Sequence, residues 1–232
     1  MGIDTLEKYA RYLGLGQKTG IELIGEIEGT LASRSYAKEK GNTWYVADTL
    51  SAAIGQSYNS FTPIQLAKYI ATLVNGGKTI NPTLIKDIID VEGNSVDSEE
   101  LKKYLNEKIG VSTVKTENMN INQENIDAIL MGMKEVTDEA GGTAYGIFKN
   151  LPEKVGGKTG TAQAGVGSNN GVFVGFAPFD KPEIAVVVVV EHGGHGSYTA
   201  EVVRDIMAEY FGVNDESIKE DKTVNTIEAG IR

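Results

Sequence analysis

The sequence predicts an α+β fold in which an antiparallel β-sheet is flanked by helices. Three observations predict it. After Pro152, three β-prone runs follow one another at 155–164, 172–177 and 184–191, separated only by short turns. Apolar residues at helical spacing occupy the segments on either side, 122–136 and 199–211. Consecutive strands joined by tight turns pair antiparallel, because a parallel crossover needs a dozen or more residues.

The chain has 232 residues, 41% of them hydrophobic and 23% charged, enough to bury a core. A net charge of −10 without a basic stripe excludes nucleic acid as a partner. The absence of cysteine excludes disulfides and thiolate metal sites. The longest apolar run, Ile184–Val190, is too short to span a bilayer, and no leader opens the sequence.

In chain order, Asp4 is expected to cap a first helix that carries Leu6, Ala10 and Leu13 on one face and stops at Gly14-Leu-Gly16. Residues 25–43 are charged and aperiodic and read as a solvated loop, with Trp44 as a packing anchor beneath it. Thr62, Pro63 and Gln65 are the N-cap, N1 and N3 of a second helix, whose apolar face is Ile70, Ala71, Leu73 and Val74. Asn75-Gly76 ends it through a left-handed residue. Residues 92–118 are polar and read as a surface insertion. A third helix from about Asn122 presents Ile126, Ile129, Leu130, Met133 and Val136 as one stripe and breaks at Gly141-Gly142. The three strands follow. The last, IAVVVVVE, lacks alternation and is expected to be buried on both faces. After the loop HGGHG, a closing helix runs from about Thr199 to Phe211 with Val202, Val203, Ile206 and Tyr210 apolar. Residues 1–212 thus form the folded part and 213–232 a polar tail.

The tetrapeptide GGKT occurs twice, at Gly76–Thr79 and Gly156–Thr159. The first copy is a helix exit. The second fails as a phosphate loop: the first glycine of G-x-x-x-x-G-K-[ST] falls on Pro152, which has no N–H to donate. Its continuation, TGTAQAG, also runs on as a strand rather than opening a helix. What remains is an exposed strand offering a cation and two hydroxyls to an anionic ligand, or else a charged edge that discourages aggregation.

Read together, KTGTAQ at 158–163, GVFVGFAP at 171–178 and the IAVVVVVE strand resemble the penicillin-binding protein transpeptidase domain. So do IGQSYNSFTPIQLA at 54–67, GLGQKTGIEL at 14–23 and GGTAYGIF at 141–148; the IGQ…FTPIQLA block resembles the class B branch. The resemblance implies a serine β-lactamase-like fold and a serine D,D-transpeptidase that cross-links peptidoglycan stem peptides and is acylated by β-lactams. Such sites combine S-x-x-K, S-x-N and K-T-G. It further implies that Lys158 holds the hydrogen-bond network of the nucleophile. Thr159, Gly160, Thr161 and Gln163 would contact substrate, and the Thr161 N–H would donate to the oxyanion. No cofactor or metal is implied. The implied location is the extracytoplasmic face of the bacterial membrane, with the anchor outside this chain and other cell-wall synthesis proteins as partners.

Two further matches look like the missing motifs, Ser35-Tyr-Ala-Lys38 and Ser57-Tyr-Asn59. Neither is adopted. A nucleophilic serine needs a buried helix start and a partly desolvated lysine, and Ser35–Lys38 lies in the charged segment. Ser57–Asn59 lies in a block that follows S-x-N in the family. The chain is therefore expected to begin just after S-x-N, to lack the nucleophile and the first strands, and to be inactive alone, with a bare β-edge at IAVVVVVE. The alternative is a non-catalytic binding or scaffolding module related to transpeptidases. His192 and His195 are read as a mobile loop beside the site rather than zinc ligands. Asp138 and Glu139 are read as surface residues, and Tyr145 and Phe148 either line the site or pack in the core.

Overall fold

A computed structural model describes residues 1–96, 103–104, 107, 117–163 and 167–213. The chain divides into two compact units: Met1–Leu130 with Ala162–Asn169, and Met131–Thr161 with the described residues from Asn170 onward. Residues 214–232 of the polar tail and part of the 92–118 segment lie outside the described residues.

In the first unit, helix α1 spans Ile3–Tyr12. Its N-cap is Gly2, not Asp4 as the sequence suggests; Asp4 sits in the first turn, where it pairs with Arg34 at 3.2 Å and favours the positive helix end. Ile3, Ala32 and Ala52 form a small core, with Leu6, Trp44 and Tyr58 packed on it. Trp44 also donates to the Thr49 hydroxyl at 3.1 Å, so it does anchor this region.

The expected loop over 25–43 contains a two-turn helix, α2 (Arg34–Glu39). The fully buried Ser33 caps it by accepting the Tyr36 N–H at 3.1 Å, and Ala37 is its one buried residue. A single buried residue in six gives no periodicity to read. Helix α3 (Val46–Ala53) also escapes the sequence reading; Asp48 accepts the Tyr45 N–H at 2.7 Å to start it.

Helix α4 (Pro63–Val74) has the expected capping box. Thr62 accepts from the Gln65 N–H at 3.3 Å, and Gln65 Oε1 accepts from the Thr62 N–H at 3.0 Å. The buried Gln65 amide also donates to the carbonyls of Gln17 (2.6 Å) and Glu28 (2.7 Å), tying two loops to the helix start. Gly76 and Gly77 leave the helix at φ +66° and +81°. Lys78–Thr79 then form a short strand, β1, antiparallel to β2 (Glu117–Asn118). The first GGKT is a helix exit, as expected.

Helix α5 (Gln123–Asp138) starts where Asn122 Oδ1 accepts the Glu124 N–H. Ile126 and Met133 are buried, whereas Ile129 of the expected stripe is exposed. In the second unit a short helix, α6 (Tyr145–Phe148), leads to a three-stranded antiparallel sheet in the order β3 (Gly156–Ala162), β4 (Asn170–Ala177), β5 (Ile184–Val190). β4 and β5 pair from Gly171↔Val190 to Ala177↔Ile184. Helix α7 (Gly196–Phe211) packs on β4 and β5 and ends at Gly212 in the left-handed conformation. Phe148, Phe173, Ala200, Val203 and Met207 belong to the core, with the Phe148 and Phe173 rings stacked 5.4 Å apart. Phe148 is therefore a core residue.

Two expectations about this unit are corrected. β5 is not buried on both faces. Only Val186 is buried, and Val190 is exposed. The valine run reflects β-propensity, and β5 lies at the outside of the described sheet. On α7 the buried face is Ala200, Val203, Met207 and Ala208, while Val202, Ile206 and Tyr210 are exposed. Small residues let the helix approach the sheet closely, so size complementarity overrode hydrophobicity in choosing the face.

Candidate functional site

The second GGKT is strand, not phosphate loop: Gly156–Ala162 is β3, paired beside β4. Ala164, the last residue of the expected strand, lies outside the described residues. Its two glycines are buried against Phe176 and Phe173, where a methyl on Gly156 would lie 2.3 Å from Phe176 Cζ and one on Gly157 2.5 Å from Phe173 Cζ. The strand then emerges. Lys158 is exposed, Thr159 and Gly160 are half-buried, and Thr161 is exposed again. Burial at one end fixes the strand, and emergence at the other presents its polar residues.

Each hydroxyl has a partner from another element. Thr159 Oγ1 lies 3.3 Å from Thr143 Oγ1, in the turn between α5 and α6. Thr161 Oγ1 accepts the Gly196 N–H, at the start of α7, at 3.3 Å. Lys158 Nζ donates to the Thr159 carbonyl at 2.8 Å. Gly196 is in close contact with β3: a methyl on it would lie 2.2 Å from the Gly160 carbonyl oxygen. Asn170 accepts the His192 N–H at 2.9 Å, and His192 holds φ +54°, so the histidine loop is tied to the start of β4. A cation and two hydroxyls along one exposed strand can receive a carboxylate.

Gln163 lies just beyond β3, exposed, and belongs to the first unit. Asp138 pairs with Lys154, and Glu139 is exposed at the helix end. Among the described residues no group of three or more His, Asp or Glu could hold a metal. Nor is any described helix long and apolar enough to cross a membrane. Thr143 is the residue that the sequence reading left without a role. Its only signal was membership of the GGTAYGIF block.

The motif look-alikes lie in the first unit. Ser35 sits in the first turn of α2, so it does begin a helix, but it and Lys38 are both exposed. Ser35 Oγ bonds Ser33 Oγ at 2.9 Å rather than a lysine. Ser35 lines a polar cavity of about 330 Å³ with Arg11, Glu28 and Glu39, and Arg11 is committed to Glu7 at 3.0 Å. Asn59 accepts the Ala32 N–H at 2.9 Å and donates to the Ala52 carbonyl at 3.1 Å, which is a structural staple. A second cavity of about 460 Å³, lined by Ile3, Leu6, Ala10, Leu13 and Tyr69 among others, is largely apolar and has no serine or lysine in its lining.

Comparison with known proteins accords with this geometry. The penicillin binding protein transpeptidase domain profile matches residues 1–208. Penicillin-binding protein 2A of Bacillus subtilis is 32% identical over 94% of this chain and 30% of its own length. The peptidoglycan D,D-transpeptidase MrdA of Haemophilus influenzae is 31% identical over 91% of this chain and 33% of its own length. Among solved structures, Pseudomonas aeruginosa PBP2, determined in complex with WCK 5153, superposes with a TM-score of 0.74. It is 33% identical and covers 97% of this chain and 47% of its own. Helicobacter pylori PBP2 in complex with MreC gives 0.71 at 25% identity, covering 91% of this chain and 37% of its own. The chain spans about a third of the length of the curated relatives it matches. It belongs to the penicillin-binding protein transpeptidase domain family.

Proposed function

We propose that this chain is the K-T-G-bearing part of a serine D,D-transpeptidase that joins peptidoglycan stem peptides and is acylated by β-lactams. The observation that carries it is β3, a strand anchored by buried glycines that presents Lys158, Thr159 and Thr161 at its exposed end. Curated relatives named peptidoglycan D,D-transpeptidases support the reaction class. In this reading Thr159 and Thr161 donate to the terminal carboxylate of a D-Ala-D-Ala stem peptide or a β-lactam, and Gly160 lets the ligand backbone lie against the strand. The Thr161 N–H is one donor to the tetrahedral oxyanion, where charge develops only in the transition state. Lys158 holds the proton network around the serine.

That serine and its lysine lie in sequence outside this chain. The Ser35–Lys38 pair does not supply them in this reading, since both side chains are exposed and the Ser35 hydroxyl bonds Ser33 rather than the lysine. The chain alone is thus inactive, and residues 1–212 are the C-terminal part of a transpeptidase domain followed by a polar tail. The whole protein acts at the extracytoplasmic face of the bacterial membrane through an anchor outside this chain. A relative's complex with MreC supports partnership with other cell-wall synthesis proteins.

The experiment is acylation kinetics with fluorescent penicillin on the longer protein that carries this sequence. Thr161→Val should slow acylation about 10- to 100-fold, the worth of one hydrogen bond to a charged group. An unchanged rate would remove the Thr161 hydroxyl from the carboxylate contacts.

A further inference from the structure

We propose that Thr143, in the turn between α5 and α6, is a positioning residue. Its hydroxyl donates to Thr159 Oγ1 and so turns the Thr159 proton toward the ligand carboxylate. The two oxygens lie 3.3 Å apart, and either could be the donor. Chemistry decides the direction. A carboxylate only accepts, so Thr159 must donate to it; Thr159 then has only lone pairs to offer Thr143.

The turn is built to hold Thr143 still. The Gly142 N–H donates to the Glu139 carbonyl at 2.8 Å, and the Ala144 N–H donates to the Val136 carbonyl at 2.9 Å. Ala144 is buried in the core with Phe148. Gly142 admits no side chain, since a methyl there would lie 2.3 Å from the Glu135 carbonyl oxygen. Thr143 is itself exposed, so its conservative variants should not disturb the core. A hydroxyl that is fixed before binding spares the ligand the cost of ordering it.

The proposal rests on the transpeptidase reading for its ligand, but its structural half is tested separately. In this chain, three-bond couplings of Thr159 should report one χ1 rotamer. Thr143→Val should average them and Thr143→Ser should restore them. Couplings that ignore Thr143→Val would overturn the proposal.

In the longer protein, Thr143→Val should lower capture of a carboxylate-bearing penicillin about three- to tenfold, the range of one neutral hydrogen bond. The limiting acylation rate should stay the same, and Thr143→Ser should recover most of the loss. The double variant with Thr159→Val should be no worse than Thr159→Val alone; additive losses would contradict action through Thr159. If the longer protein takes no penicillin while the couplings still respond to Thr143, the transpeptidase reading fails and the positioning stands. Normal acylation with unresponsive couplings sinks the positioning alone.

Discussion

Gly196 and Thr161 join the closing helix to the K-T-G strand: the Gly196 N–H donates to the Thr161 hydroxyl at 3.3 Å across a gap with no room for a methyl. The obstacles are the Gly160 carbonyl (2.2 Å) and the Val172 carbonyl (2.6 Å), both backbone atoms that cannot rotate aside. Gly196→Ala should therefore cost about 3 kcal/mol, the upper end for overpacking. For a chain of this size that is a fall in Tm of about 6–12 °C by calorimetry. A shift under about 2 °C would mean that the helix start is not held against β3.

Asn59 tests the false S-x-N match. It satisfies the Ala32 N–H and the Ala52 carbonyl from one side chain. Losing it leaves both groups without that partner, at a cost of about 2 kcal/mol. Asn59→Ala should lower the urea midpoint without changing the acylation rate of folded longer protein. A catalytic loss at unchanged stability would reinstate Ser57-Tyr-Asn59 as a site motif.

The helix α7 faces solvent with Tyr198, Val202, Ile206 and Tyr210, four apolar residues at four-residue spacing. Together with β5 at the outside of the described sheet, this is an aggregation liability. Light scattering should show association that grows with concentration. The double variant V202K/I206K should reduce it with a Tm within about 2 °C of the parent, since both positions are exposed. Equal association in both would exonerate the stripe.

Glu22 gives the pH dependence its sign. Partial burial pushes its carboxyl up, but hydrogen bonds from the Thr83 hydroxyl and the Leu84 N–H outweigh this and leave it below the ordinary value. A lowered folded pKa contributes stability above the unfolded value of about 4.3 and loses it as pH falls through the folded one. Glu22→Gln should thus be less stable than the parent at pH 7, and the difference should shrink as pH falls below the unfolded value of about 4.3 and be gone below the lowered folded value. A gap that does not change as pH falls through this range would mean the loss is packing rather than charge.

Much of this was legible in the sequence because local chemistry dictated it. Thr62, Pro63 and Gln65 announce α4 with no tertiary help, and Pro152 alone rejects a phosphate loop. Short helices were not legible. α2 buries only Ala37, and α3 starts on Asp48 reaching back to the Tyr45 N–H, a cap without an apolar stripe. Of the buried face of α7 only Val203 was legible, because small Ala200 and Ala208 take the places against the sheet that Val202 and Ile206 were expected to hold. Of the site, the K-T-G strand was legible through its residue types. Thr143 was not, since its contact with Thr159 spans 16 residues and depends on how the α5–α6 turn folds back.

In the function proposed above, β3 is one wall of an acylation site to which Ser35 does not contribute. The direct measurement is the intact mass of this chain after incubation with excess penicillin. No adduct is expected on this chain, while the longer protein treated in parallel gains one penicillin per molecule. A stoichiometric adduct on this chain, mapped by peptide mass to Ser35, would contradict it.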